Sequence, residues 1–328
     1  MIKRLLQLNA ILSITLISVV YCFGQQPTQY SLYMLNPFQY NPGYAGLNDA
    51  IELTGVFRKQ WQGLSDSPTH QNINVHFPVY RLSSGLGIDV ENDNLGLEQN
   101  LQATLSYNFH LPLGRSSVVS FGFGAGIFQK KITGENIRTP DGIYDLGILE
   151  HNDNLGLPVT NQNASTPIFN AGIYFKSELF EIGVSTVNLQ EPTIQGDFLS
   201  TTLSRNYFLT ATYNLDLLRN VSVHPSILVK TDQIEWQTEI SALFKYDDNI
   251  FLGGSFRGYN STTVDAAALI LGGNINEKIT LAYAYDITLS ELNIVSTGSH
   301  ELLLKINLGT EVGKGKLPKI IFNPRYLD

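Results

Sequence analysis

Apolar and polar residues alternate one for one over long stretches of this chain. In 95–111 the odd positions carry Leu95, Leu97, Leu101, Ala103, Leu105, Tyr107, Phe109 and Leu111, broken only by Gln99. The even positions carry Gly96, Glu98, Asn100, Gln102, Thr104, Ser106, Asn108 and His110. A period of two marks a β-strand whose faces meet different surroundings, and a one-residue slip would exchange every side chain between them. The first such strand follows the turn-forming Asn41-Pro42-Gly43, where Gly43 allows positive φ. There Ile51, Leu53, Gly55 and Phe57 oppose Glu52, Thr54, Val56 and Arg58.

Fourteen segments follow this grammar: 51–61, 70–79, 84–92, 95–111, 116–130, 167–176, 179–188, 205–215, 219–230, 233–246, 249–258, 262–273, 277–287 and 298–308. Most have the length of about ten residues that a tilted strand needs to cross a bilayer. Every second connection is short (80–83, 112–115, 177–178, 216–218, 247–248, 274–276); of the others, four are longer (62–69, 131–166, 189–204, 288–297) and three (93–94, 231–232, 259–261) are short as well, so the pattern is partial. Short turns at one end and longer loops at the other are the habit of outer-membrane barrels. A charge facing lipid at the midplane costs up to about 2–4 kcal/mol, so long, clean alternation fits a lipid-facing exterior around a wet lumen. The expected fold is therefore all-β, an outer-membrane antiparallel β-barrel of about 14 strands. A soluble β-sandwich would show shorter strands at closer spacing.

Residues 1–24 read as a secretory signal peptide: Lys3 and Arg4 precede an apolar run from Ala10 to Phe23, with Gly24 at the cleavage point. The remaining expectation is a periplasmic N-terminal segment over 25–50, a transmembrane barrel over 51–308 and a periplasmic tail over 309–328. The only cysteine, Cys22, falls within the signal, so disulfides do not stabilise the rest. A net charge of −8 without a Lys/Arg block speaks against nucleic acid as a partner.

Candidate chemistry is sparse. The histidines His70, His76, His110, His151, His224 and His300 lack metal-ligand spacing, and no phosphate-binding loop, HExxH or GxSxG occurs. The chain is therefore not expected to be an enzyme or to need a cofactor. The repeated Asn92-Asp93-Asn94-Leu95-Gly96 and Asn152-Asp153-Asn154-Leu155-Gly156 have oxygen ligands for Ca²⁺ but also the composition of ordinary turns. Arg58, Lys59 and Trp61 stand where the first strand meets its loop. They suit either an anchor at the membrane boundary or a partner-contact patch.

Short motifs are spread along the chain. They are Gln29-Tyr30 through Asn36-Pro37, Asn41-Pro42-Gly43-Tyr44-Ala45-Gly46, Arg58-Lys59-Gln60-Trp61-Gln62-Gly63 and Pro68-Thr69. His224-Pro225-Ser226 through Lys230, Leu252-Gly253-Gly254-Ser255-Phe256-Arg257, Tyr283-Ala284-Tyr285-Asp286, Ser299-His300-Glu301-Leu302 and Asn323-Pro324-Arg325-Tyr326-Leu327 continue the series. In this order and spacing they resemble the PorP/SprF family of type IX secretion system membrane proteins of Bacteroidetes. Gly43 stands where the family more often has Ala, and Ser65-Asp66-Ser67 replaces a more Gly-rich segment. The resemblance implies a non-enzymatic outer-membrane barrel that helps export secreted proteins or attach them to the surface, with adhesins and gliding motility involved in some members. The implied partners are type IX secretion components, secreted surface proteins and outer-membrane lipid. The family-motif and partner-contact candidates are Asn41, Pro42, Tyr44, Gly46, Arg58, Gln60, Trp61, Gly63, Pro68, Arg257, Tyr285, Asp286, His300 and Glu301. A porin or hydrophobic-substrate transporter is the alternative.

Overall fold

The structure is a computed structural model that describes residues 27–309, apart from 115, 146–148, 153–156, 197–199 and 260–262. The expected signal peptide, nearly all of the expected tail and most of the second Asn/Asp cluster lie outside the described residues. The strands are β1 (Glu52–Lys59), β2 (Thr69–Val79), β3 (Ser84–Leu95), β4 (Glu98–Pro112), β5 (Ser117–Ile132), β6 (Gln162–Ser177) and β7 (Phe180–Val187). They continue as β8 (Thr193–Gln195), β9 (Ser200–Thr202), β10 (Asn206–Tyr213), β11 (Leu215–Leu218), β12 (Val221–Thr231) and β13 (Trp236–Tyr246). The last four are β14 (Ile250–Tyr259), β15 (Thr263–Asn276), β16 (Ile279–Thr288) and β17 (Ser299–Asn307).

Neighbours in sequence pair antiparallel around the wall, and β1 pairs with β17 from Glu52↔Asn307 to Lys59↔His300. Both β10 and β11 pair with β12, so these two pieces flanking Asn214 form one stave. The wall is thus a closed antiparallel barrel of 14 staves, with β8 and β9 as a separate hairpin in the 188–205 loop. Closure leaves no sheet edge and satisfies every ladder without water, which is what a membrane demands.

Burial along the staves is inverted relative to a soluble domain. Leu105 and Ile127 are 59% and 60% exposed, whereas Asn72 and Asn108 are fully buried. In β1, Glu52, Thr54, Val56 and Arg58 face inward, and Leu53 and Phe57 face outward, as the alternation predicts. Apolar side chains cover the outside and polar ones line the inside, the arrangement of a barrel solvated by lipid.

Two of the differences from the expected boundaries bear on the lumen. The long alternation at 95–111 is not one strand: β3 runs to Leu95, Gly96-Leu97 makes the turn, and β4 starts at Glu98. Gly96 adopts φ +64°, which its missing Cβ permits, and a tight hairpin preserves the alternation that hides it. Asp93, expected in a turn, is therefore a β3 residue whose carboxylate meets the His70 imidazole at 2.8 Å. The second difference is β6, which begins at Gln162 rather than 167, paired with Ile132. Its first residues are polar or small, so the apolar half of the pattern is absent there.

Candidate functional site

The largest departure from expectation concerns the segment before the wall. Residues 25–50 were expected outside the barrel, yet the described part, 27–50, fills the lumen. Tyr30, Leu32, Tyr33, Phe38, Tyr40, Tyr44, Ala45 and Leu47 are all buried. Three short 3-10 turns, Tyr33–Leu35, Pro37–Gln39 and Pro42–Tyr44, fold it into a plug. Its contacts order it along the barrel axis. Pro27 and Thr28 lie against Lys230 and Asp93 near the long loops, and Asn48 meets Glu52 and Lys176 beside the short turns. The chain thus descends the whole lumen before turning back up as β1.

The upper part of the plug is gripped by buried charge. Arg58 on β1 donates to Asp286 on β16 at 2.7 Å and to Glu301 on β17 at 3.0 Å. Arg257 on β14 reaches Glu239 on β13 at 2.8 Å, Asp286 at 3.3 Å and Asp265 on β15 at 3.6 Å. Ser31 of the plug sits at the centre. Its hydroxyl accepts from Arg257 Nη2 at 2.7 Å and Arg58 Nη1 at 3.1 Å, and donates to Asp286 at 2.7 Å. The backbone N–H groups of Ser31 and Leu32 donate to the two oxygens of Glu301 at 2.7 and 3.0 Å. Charge-assisted bonds of this kind are about twice as strong as neutral ones, and burial removes competing water. The buried Tyr30 hydroxyl donates to Glu91 at 3.0 Å, and that of Tyr33 to the Glu239 carbonyl at 3.4 Å.

The lower part is held by shape and by backbone. Asn41 caps the Pro42–Tyr44 turn by accepting from the Gly43 N–H at 2.8 Å, while its Nδ2 donates to the Ile173 and Val184 carbonyls. Asn108 on β4 donates to the carbonyls of Gly43 and Ala45, both at 2.8 Å. The Gly46 N–H donates to His76 Nδ1 at 3.2 Å. Inward-facing wall positions here are glycines with no room for a side chain. A Cβ on Gly122 would lie 2.3 Å from Gly43 N, one on Gly172 2.1 Å from Asn41 Oδ1, and one on Gly85 2.0 Å from Ala45 O. Gly43 itself is not in the positive-φ turn expected of it; the left-handed residue is Gly46, φ +72°. Gly43 is small because Tyr174 N and Ser120 O lie 3.2 and 3.3 Å from where its Cβ would be.

The motif residues therefore divide into five places. Asn41, Pro42, Tyr44 and Gly46 belong to the plug, where Tyr44 meets Tyr174 edge-on at 5.0 Å. Arg58, Arg257, Asp286 and Glu301 form the buried cluster. Arg58 was expected at a rim, but the strand period turns it into the lumen, 1% exposed. Gln60, Trp61 and Pro68 line a partly open cavity of about 500 Å³ beneath the long loops. Gln60 Oε1 lies 3.1 Å from His70 Nε2, and its N–H donates to the Pro68 carbonyl. Trp61, read as a membrane anchor or a contact residue, lines that cavity, and its backbone N–H donates to Ser299 Oγ. Gly63, φ +110°, lies where the 60–68 loop meets the 289–298 loop.

Tyr285 and His300 are on the other side of the wall. The period of two splits each adjacent pair, sending Asp286 and Glu301 inward and their neighbours outward. There the Tyr285 and His300 rings lie tilted against each other at 5.1 Å, and Tyr283 O–H meets His300 Nδ1 at 2.6 Å. Ser31, Glu239, Asp265, Asn108 and the wall glycines were not anticipated. Inward glycines at 122, 124 and 126 were the available signal, since small residues on a lumenal face leave room for something else.

The sequence model described as "Type IX secretion system membrane protein PorP/SprF" matches residues 22–306. The chain belongs to this family. It is a type IX secretion membrane protein with an outer-membrane barrel fold, and that family is not a known enzyme class. No curated protein matches the chain. Solved structures that resemble it are outer-membrane barrels of very different sequence. The Ralstonia pickettii toluene transporter TbuX has 10% identity and a TM-score of 0.47, with 85% of this chain and 93% of that one covered. The Acinetobacter baumannii outer membrane protein Omp33 has 7% identity and a TM-score of 0.44, covering 79% and 97%. CdiB from Acinetobacter baumannii has 9% identity and a TM-score of 0.42, covering 78% and 59%.

Proposed function

We propose that this PorP/SprF protein is a non-enzymatic, plugged docking barrel that helps export secreted proteins or hold them at the cell surface, adhesins of gliding motility among them. The observation that carries the reading is the plug. A chain descending the whole lumen, hydrogen-bonded to the wall at both ends, leaves a scaffold for loops rather than a conduit for solutes. The long-loop end, with 133–161 and 188–205, is the client-facing surface, and the short-turn end faces periplasmic components of the machinery. The motif residues act mainly by building that scaffold, with Gln60, Trp61 and Pro68 nearest the client.

Deleting 133–161 is expected to leave a folded barrel while surface retention of the secreted client falls; unchanged retention would remove the loop from the reading. In planar bilayers the intact protein is expected to be silent, and the chain lacking 27–50 to conduct. Steady conductance by the intact protein would instead favour the porin or transporter alternative.

A further inference from the structure

The cavity beneath the long loops has a one-sided chemistry. Asn100, Asn188 and Asn206 all line it, and each leaves its side-chain oxygen buried without a donor. Their orientations are fixed, because each Nδ2 already donates: Asn100 to Glu98 Oε1 at 2.8 Å, Asn188 and Asn206 to the Ser204 carbonyl at 3.2 and 2.9 Å. Asn206 is itself 5% exposed. Glu91 and Asp93 line the same cavity, and among the described residues neither has a Lys or Arg partner within ion-pair distance. Glu91 is met by the Tyr30 hydroxyl and the Gln39 amide, Asp93 by His70 and Thr28. The one ammonium in the lining, Lys130, is engaged by Glu98 at 2.7 Å.

The lining therefore carries three carboxylates, Glu91, Asp93 and Glu98, against the single ammonium of Lys130, with asparagine oxygens among them that no donor meets. Trp61 and Phe128 add aromatic rings to the same lining. Buried acceptors without donors are costly, so the site favours a group that brings several hydrogen-bond donors. Lysine and arginine side chains bring several donors together with a positive charge at neutral pH, and aromatic rings attract them further.

We infer that this cavity is a binding site for a lysine- or arginine-bearing segment of a partner polypeptide. Its biological source rests on the docking role proposed above; the binding itself does not.

The test uses the full chain in detergent micelles and fluorescent, end-blocked peptides of alternating glycine and lysine, with arginine, glutamine and glutamate counterparts. The lysine and arginine peptides are expected to bind about tenfold or more tightly than the glutamine one, and the glutamate peptide not at all. Glu91→Gln with Asp93→Asn should abolish that preference, provided heat-modifiable gel mobility shows a folded barrel. Gln102→Lys places a built-in cation in the lining and should block the basic peptides, which keeps the proposal testable if the neutralised variant does not fold. Equal binding of the glutamine peptide, absence of saturable binding, or an undiminished preference in both variants would overturn it. So would Ca²⁺ binding at these carboxylates without peptide binding. Failure here would leave the secretion role standing, because that role is read from client retention in cells.

Discussion

The two ends of the plug are held by opposite means. At the upper end a short stretch, Ser31-Leu32, is gripped by charged side chains that reach in from β1, β14, β16 and β17. At the lower end the plug backbone at Pro42, Gly43 and Ala45 and the Asn41 amide lie against a wall hollowed by Gly85, Gly122 and Gly172, and the grip is on backbone carbonyls. The first mode depends on charge balance and the second on absent atoms. They should therefore fail differently: the upper end when a partner is removed, the lower end when an atom is added.

The largest effect is expected from Arg58→Ala. It leaves Asp286 and Glu301 buried with one fewer cation, and breaking a buried pair from one side costs about 3–5 kcal/mol. A thermal unfolding midpoint close to that of the parent would show that the cluster does not hold the upper end. Next comes Gly122→Val. Its Cβ would lie 2.3 Å from Gly43 N, a backbone atom that cannot rotate away, and overpacking costs about 1–3 kcal/mol. The wall itself tolerates valine on a strand, so the plug should be displaced and bilayer conductance should appear. A silent, fully stable Gly122→Val barrel would refute the shape-based seat.

Ser31→Ala sharpens the contrast at smaller scale. The hydroxyl accepts from both arginines and donates to Asp286, so its loss unmakes three bonds at once. The two backbone bonds to Glu301 survive, which limits the expected loss to about 1–3 kcal/mol. If Ser31→Ala equalled Arg58→Ala, the hydroxyl rather than the ion cluster would be organising the upper end.

The same contrast separates the parts of the fold that are legible in the amino-acid sequence from those that are not. The staves were legible because lipid outside and water or polar groups inside impose opposite demands on alternate residues; Leu53 and Phe57 against Glu52 and Arg58 is the pattern in miniature. The hairpin at Gly96-Leu97 was not, because a two-residue turn leaves the parity of the alternation unchanged. The plug was not legible either. Its 3-10 turns have no long period, and its partners lie far away in sequence: Ser31 to Asp286, Asn41 to Ile173, Ala45 to Asn108. Of the motif residues, Arg58, Arg257, Asp286 and Glu301 were found one by one, but their meeting around Ser31 needed the barrel to close.

His300 supplies the smallest and most discriminating case. It neighbours Glu301 in sequence yet points out of the wall, against Tyr283 and Tyr285. If the motif Ser299-His300-Glu301 acts through the lumen, only its inward members should matter to the plug. His300→Phe keeps an aromatic ring on the outer face and leaves Glu301 untouched, so stability should change by no more than about 0.5 kcal/mol, as for substitutions away from buried features. Conductance should stay silent as well. A His300→Phe barrel that conducts would mean that the outer ring cluster sets the position of β17, and with it Glu301. The two faces of the wall would then be coupled in a way that the period of two alone does not require.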